Sequence, residues 1–324
     1  MRYKTKIMSL SLLAAALGAS LVLGAFYSYR GSESRSARPF ASFLKTGTVS
    51  ELVFQDGEKS VLLVAEIKGK ADRTWSVVIQ GEKFPAVREK AERFIELATS
   101  AAVFPALTEN EETWDLFGLE ATTAKRIKFS GSGGTAEILL GKEEETGRGQ
   151  YIRFADTKAV YLVGQSFSYY AERDASYWSD LRVFPVSLTA RDIVGISASG
   201  SVSWNIFRET SAEGLLWAVQ GEPGKKLDQG KVDSLAAALG QINAKSFAAG
   251  VDEAGAGLSA AEAVFTLTAS NTMRYELRVG RADEEGNRYA AARVNGELFP
   301  HVYLLDVYTL GKIMLPLGDL TAGP

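Results

Sequence analysis

The chain of 324 residues has no cysteine and a single histidine, His301. Without thiols there is no disulfide, no thiolate metal site, no cysteine nucleophile and no lipid-modified N-terminal Cys. With one imidazole, a multi-His metal centre is excluded and a His-paired catalytic unit has only that residue to use. A surplus of one charge sign is also lacking. The 36 Lys and Arg face 39 Asp and Glu, a formal net charge of −3, so no basic excess points to nucleic acid. Beyond Arg30 no apolar run reaches the roughly 18 uncharged residues that a membrane helix needs. What is present is 46% hydrophobic and 23% charged, the balance of a globular chain long enough for about two domains.

The N-terminus carries the exception. Arg2, Lys4 and Lys6 precede an uncharged run from Ile7 to Tyr29. About 23 residues in a helix span roughly 34 Å, enough for a hydrocarbon core of about 30 Å. Phe26, Tyr27 and Tyr29 gather at its far end, where aromatic rings favour the interface. Residues 1–30 are therefore expected to form a retained transmembrane anchor. The alternative is a cleaved signal peptide, with Ala16-Leu17-Gly18 as a small-x-small cleavage site. Either reading sends the following chain across the membrane. Three cations ahead of the span favour an inside N-terminus, although Arg30, Arg35 and Arg38 place positive charge beyond it. The expectation is a single-pass protein of the cytoplasmic (inner) membrane with its bulk extracytoplasmic, in the periplasm where there is one. Residues 31–44, rich in Ser and Arg, read as a juxtamembrane linker.

Beyond the linker, one order of signals occurs twice. Val49–Phe54, Ser60–Ile67 and Trp75–Ile79 read as strands, and Asp192–Ser197, Val202–Phe207 and Leu216–Val219 take the same places, with Trp217 matching Trp75. A helix follows each time, with apolar faces Val87, Ala91, Phe94, Ile95, Ala98 and Val232, Leu235, Ala236, Leu239, Ile242. Lys83-Phe84-Pro85 and Gly224–Asp228 read as the turns into these helices, with Asp228 as an N-cap. Next come Phe117-Gly118-Leu119 and Ala256-Gly257-Leu258, where Gly suits a left-handed position. Strands Arg126–Ser130 and Ala136–Leu140 match Ala263–Ala269 and Arg274–Val279, and the second of each pair runs into Gly141 or Gly280. Acidic turns, strands starting at Tyr151 and Tyr289, and final strands Ala159–Val163 and His301–Leu305 complete the series. Short helical pieces close each half, around Phe167–Ala171 and Val307–Ile313. Matched positions stay about 140 residues apart. The expectation is an α+β fold: two tandem repeats, 45–186 and 187–324, each a mainly antiparallel sheet with one principal helix.

Several of these residues also carry a resemblance. Phe117-Gly118-Leu119, Leu139-Leu140-Gly141, Tyr151-Ile152-Arg153 and Val160-Tyr161-Leu162 resemble, in order and spacing, the domain-of-unknown-function 4340 family. So do Trp178 to Val183 leading into Asp192-Ile193-Val194, and Trp217 followed by Pro223, Asp228 and Leu235. The Ala/Gly-rich stretch Ala248–Gly257 departs from the pattern. Members of that family are typically membrane-anchored and encoded beside an ABC transport system similar to gliding-motility-associated permeases. The resemblance thus implies an accessory role beside an ABC transporter permease, and it carries over no catalytic residues.

Candidate chemistry is sparse. Gly131-Ser132-Gly133-Gly134 lies between two strands with no Gly-Lys-Ser/Thr after it, and reads as a hairpin and not a phosphate loop. Glu143–Glu145 and Asp283–Glu285 lack the alternating ligands of a calcium loop and read as solvated hairpin tips. Glu109, Glu111, Glu112 and Asp115 form an exposed approach to Trp114. Ser166 and Ser168 lack a nucleophile elbow. His301 reads as a strand-end or partly buried side chain. The aromatic stretch Phe167, Tyr169, Tyr170, Tyr177 and Trp178 is the one candidate surface, facing either a partner or the junction between halves. No cofactor, metal or catalytic residue is assigned. The expected function is a non-catalytic accessory or scaffolding subunit at a membrane transporter. Alternatives are an envelope polymer or glycan binder using the aromatic stretch, and an envelope hydrolase relying on carboxylates.

Overall fold

Alternating apolar and polar residues, broken by glycine-bearing turns, fold into short strands throughout the region that the computed structural model describes: residues 37–42, 44, 48–68, 72–147, 149–212 and 214–322. The segment expected to cross the membrane lies outside these residues. Among the described residues no helix is long and apolar enough to do so. In chain order the first elements are β1 (Arg38–Pro39), β2 (Val49–Asp56), β3 (Lys59–Lys68), β4 (Asp72–Ile79), β5 (Glu82–Pro85) and α1 (Arg88–Ser100). Then come β6 (Ala102–Val103), α2 (Trp114–Phe117), β7 (Lys125–Gly131), β8 (Gly134–Glu143), β9 (Gln150–Phe154), β10 (Val160–Val163), α3 (Ser168–Ala171) and α4 (Ala175–Trp178). The remainder is β11 (Ile193–Gly200), β12 (Trp204–Ser211), β13 (Gly214–Val219), α5 (Gln229–Gly240) and β14 (Ser246–Phe247). It ends with β15 (Ala263–Ala269), β16 (Arg274–Ala282), β17 (Arg288–Val294), β18 (Glu297–Leu298), β19 (Tyr303–Leu305) and α6 (Val307–Ile313). The fold is mainly antiparallel sheet with few helices.

The chain divides into two compact units. One runs up to Ala71 and resumes over Glu89–Arg173; the other takes Asp72–Arg88 and Asp174–Pro324. In the first, strands follow the spatial order β6-β10-β9-β8-β7-β2-β3, with β1 outside β6. In the second the order is β14-β19-β17-β16-β15-β11-β12, with β13 outside β12. Seven strands therefore recur in the same spatial order.

Each unit buries the face that its periodicity marks. In the first, α1 contributes Ala91, Phe94 and Ala98. Phe94 packs against Phe54 and Phe129 at ring distances of 5.0 and 6.0 Å, and Phe40 adds a ring beside Phe129 and Phe154. In the second, α5 buries Val232, Leu235, Ala236 and Leu239, and Asp228 caps it by accepting the Lys231 N–H at 3.1 Å. Its strand β15 shows strict alternation, with Ala263, Phe265, Leu267 and Ala269 all buried.

A backbone detail ties the Gly-Leu steps to their sheets. Gly118 and Gly257 have φ of 69° and 71°, and the Leu after each donates its N–H back, Leu119 to Trp114 O and Leu258 to Glu253 O, both at 2.9 Å. Each loop lies on a glycine of the neighbouring strand: a Cβ on Gly141 would meet Phe117 O at 2.2 Å, and one on Gly280 would meet Ala256 O at 2.2 Å. These contacts make Trp114 and Glu253 matched positions.

Two local expectations are corrected. Lys83-Phe84-Pro85 is not a turn into α1 but part of β5, because the chain has already reversed at Gln80-Gly81. The last strand of the second half begins at Tyr303 and not at His301, because its ladder with β17 ends at the Tyr303–Ala290 pair while Phe299 N–H donates to Ala292 O, which carries the chain between them off the ladder.

Candidate functional site

The five rings proposed from sequence do not form one exposed surface. Phe167 is fully buried in the first unit, where its N–H donates to Gln150 Oε1 at 2.8 Å and its ring lies 6.0 Å from Phe40. Gln150 is itself buried and donates to Gly141 O and Ser168 Oγ, so a satisfied amide anchors α3. Tyr170 is half-buried against Phe94, at 4.9 Å. Tyr169 is 49% exposed, with the Arg173 guanidinium 3.8 Å from its ring centre. Tyr177 and Trp178 belong to the second unit. Asp174 caps α4 by accepting the Tyr177 N–H, and Trp178 is fully buried. Among the five, Tyr169 alone is an exposed ring.

Two tight hairpins, both in the second unit, wall a different site. Gln80-Gly81 (φ 51° and 87°) reverses β4 into β5, and Asn295-Gly296 (φ 51° and 88°) reverses β17 into β18. Paired positive φ values are the type I′ geometry that suits twisted strands. The first hairpin brings Glu82, Lys83 and Phe84 to a cleft of about 420 Å³, and the chain leaving the second brings Leu298, Phe299, Pro300 and His301. Asp252, Glu253 and Ala291 complete the part that carries chemistry.

Phe84 and Phe247 stack at 4.6 Å with their planes 19° apart, and the His301 ring lies 5.4 Å from each. Burial holds the imidazole pKa below its usual 6.5, because that wall solvates a cation poorly. His301 is thus neutral at pH 7. Glu253 faces Arg293 at 3.6 Å, beyond hydrogen-bond length, and its Oε1 is buried with no hydrogen bond among the described residues. Among those residues no group of three or more His, Asp or Glu is placed to hold a metal ion.

The matched place in the first unit is filled. Leu139 pairs with Arg153 and Arg278 with Ala291, two residues before Gly141 and Gly280 respectively, so Arg153 and Ala291 correspond. Arg153 is 5% exposed and its guanidinium lies 3.9 Å from the Trp114 ring centre. It donates to Thr157 O at 3.0 Å, while Trp114 Nε1 donates to Lys158 O at 3.2 Å. Desolvation lowers the Arg153 pKa, with the Arg126 charge acting the same way. In the second unit this pair is replaced by Glu253 and Ala291. The connection there is also longer, from Val294 to Tyr303 instead of Phe154 to Val160, and the added residues make the Leu298–His301 wall.

A family model described as Domain of unknown function (DUF4340) matches residues 75–227. The match takes in β5 and stops short of the cleft's other walls. An uncharacterized protein of Treponema pallidum (strain Nichols) is 29% identical over 133 residues, which is 40% of this chain and 42% of that protein. The chain thus matches less than half of that relative's length. No solved structure matches the chain.

Sequence reasoning missed Phe84, Glu253 and Ala291. The Asn295-Gly296 dipeptide between alternating strands is a strong hairpin signal that was open to reading. Nothing local marks Ala291 or Glu253. Their significance appears only against Arg153 and Trp114.

Proposed function

We propose that the protein is a non-catalytic, membrane-anchored accessory or scaffolding subunit that works outside the cytoplasm beside an ABC transporter permease. We further infer that its halves are copies of one module, of which the second has become the recognition half. One observation carries this reading: the position plugged by Trp114 and Arg153 in the first unit opens as a cleft in the second. Hollowing one copy of a repeated scaffold leaves its backbone intact and adds a concave surface, the usual setting of a recognition site. The chemistry inside suits binding. His301 is held by ring contacts on a wall of two phenylalanines, and Glu253 faces an arginine. An anchor in the partner's membrane raises effective concentration, so a modest contact is sufficient.

The test is photo-crosslinking in intact cells from residue 298, which is 46% exposed at the cleft. Recovery of a transporter permease from that position, and its absence from a probe at residue 215 on β13, is the expected result. Purified chain that turns over a defined compound, or crosslinks to no membrane protein, overturns the reading. The glycan-binding alternative retains one exposed ring, Tyr169, and requires its substitution to abolish polysaccharide binding.

A further inference from the structure

We infer that the cleft walled by β5 and the Leu298–His301 segment receives the guanidinium of an arginine side chain presented by a partner polypeptide. This deepens the reading above and rests on the cleft being a recognition site.

The first unit supplies the precedent. At the matched position the fold already accommodates an arginine side chain, lying over Trp114 at 3.9 Å and donating to a backbone carbonyl. In the second unit Ala291 removes that side chain and leaves room for one from outside. Where the first unit places an indole ring, the second places the Glu253 carboxylate, whose buried Oε1 faces Arg293 at 3.6 Å, too far for a hydrogen bond, and accepts none among the described residues. A charge-assisted donor would satisfy it, and a planar fork of N–H groups reaches such an oxygen from the side.

Charge and shape agree. Three carboxylates, Glu82, Asp252 and Glu253, line the cleft against one ammonium, Lys83, and with Arg293 beside Glu253 counted the balance is still one negative charge. His301 adds no opposing charge at pH 7 because its ring is held against Phe84 and Phe247. The part-exposed His301 ring borders the cleft, and a guanidinium stacks on such a flat surface better than an ammonium does. The alkyl stem of an arginine would lie along Val251 and Leu298.

His301 also makes the test clean, since the only histidine of the chain lines the cleft. The full chain, labelled with carbon-13 at histidine, is titrated with N-acetyl-arginine amide, N-acetyl-lysine amide and the neutral isostere N-acetyl-citrulline amide. The imidazole signal is expected to move saturably with arginine, about tenfold less tightly with lysine, and not with citrulline. An alanine-arginine-alanine tripeptide is expected to bind at least as tightly as the single residue. Glu253→Gln should weaken arginine binding about tenfold, the loss of one charge-assisted hydrogen bond. Ala291→Arg, which places the first unit's residue at the floor of the cleft, should abolish the shift. Equal binding of citrulline, unchanged binding by both variants, or a tripeptide weaker than the single residue overturns the assignment. Silence with every arginine probe does so too. A permease crosslinked from residue 298 would still stand in that case, so the two failures are distinguishable.

Discussion

His301 shows how a single residue takes its character from its neighbours. Its pKa lies below the value of a free imidazole because the folded protein buries it against Phe84 and Phe247. The unfolded chain therefore binds a proton near pH 6.5 that the folded protein binds only at lower pH. Stability is full above about pH 6.5 and falls as the pH drops through that value towards the depressed folded pKa. The thermal midpoint should decline between pH 7 and pH 5.5, above the range where carboxylates titrate, and His301→Gln should flatten the decline. A midpoint that stays constant in the wild-type chain would contradict this. At Gly141 and Gly280 the constraint is steric. An alanine at either would press its methyl on a carbonyl 2.2 Å away, and each substitution should cost about 2 kcal/mol in urea unfolding. Both glycines stand out in the sequence as the end of a strand, but the carbonyl that forbids a side chain comes from a loop more than twenty residues earlier.

Among elements, β13 is an edge strand, and a side chain covers its open backbone. Gln229, the first residue of α5, accepts the Trp217 N–H at 2.7 Å and donates to Trp217 O at 3.1 Å. In the other hairpin Trp75 O accepts the Ala86 N–H at 3.0 Å, so a strand does there what an amide does here. Exposed edge groups invite pairing with another chain, and an amide that mimics a peptide blocks this. Gln229→Ala should cost about 1–2 kcal/mol and raise aggregation in light scattering, while Asp228→Ala should cost about 1 kcal/mol without aggregation. Many elements were legible from their periods: β2, β7, β15 and β16 follow apolar alternation, and the faces of α1 and α5 follow helical spacing. The two-residue strands β6 and β14 were not. They have too few residues to show a period, and only their partners, β1 and β10 for β6 and β19 for β14, make them strands.

On the scale of the whole molecule, residues far apart in sequence complete one unit. Phe84 lies in the chain between β3 and β6 of the first unit, yet it packs in the second, stacked on Phe247. Phe84→Ala should cost about 3 kcal/mol in the unfolding of the second unit, read by Trp204 or Trp217 fluorescence. If only the first unit lost stability, the assignment of Asp72–Arg88 would be wrong.

From the sequence alone came the duplicated order of elements, the helix faces, the glycines at the Gly-Leu steps and the shortage of thiols and imidazoles, because periodicity, capping and composition are local properties. Tertiary structure decided which rings are buried, that Phe84 belongs with the second unit, and that Glu253 and Ala291 open a cleft where Trp114 and Arg153 close one. Burial and cavity shape depend on what the folded chain brings next to a residue, and that neighbour lies far away along the chain.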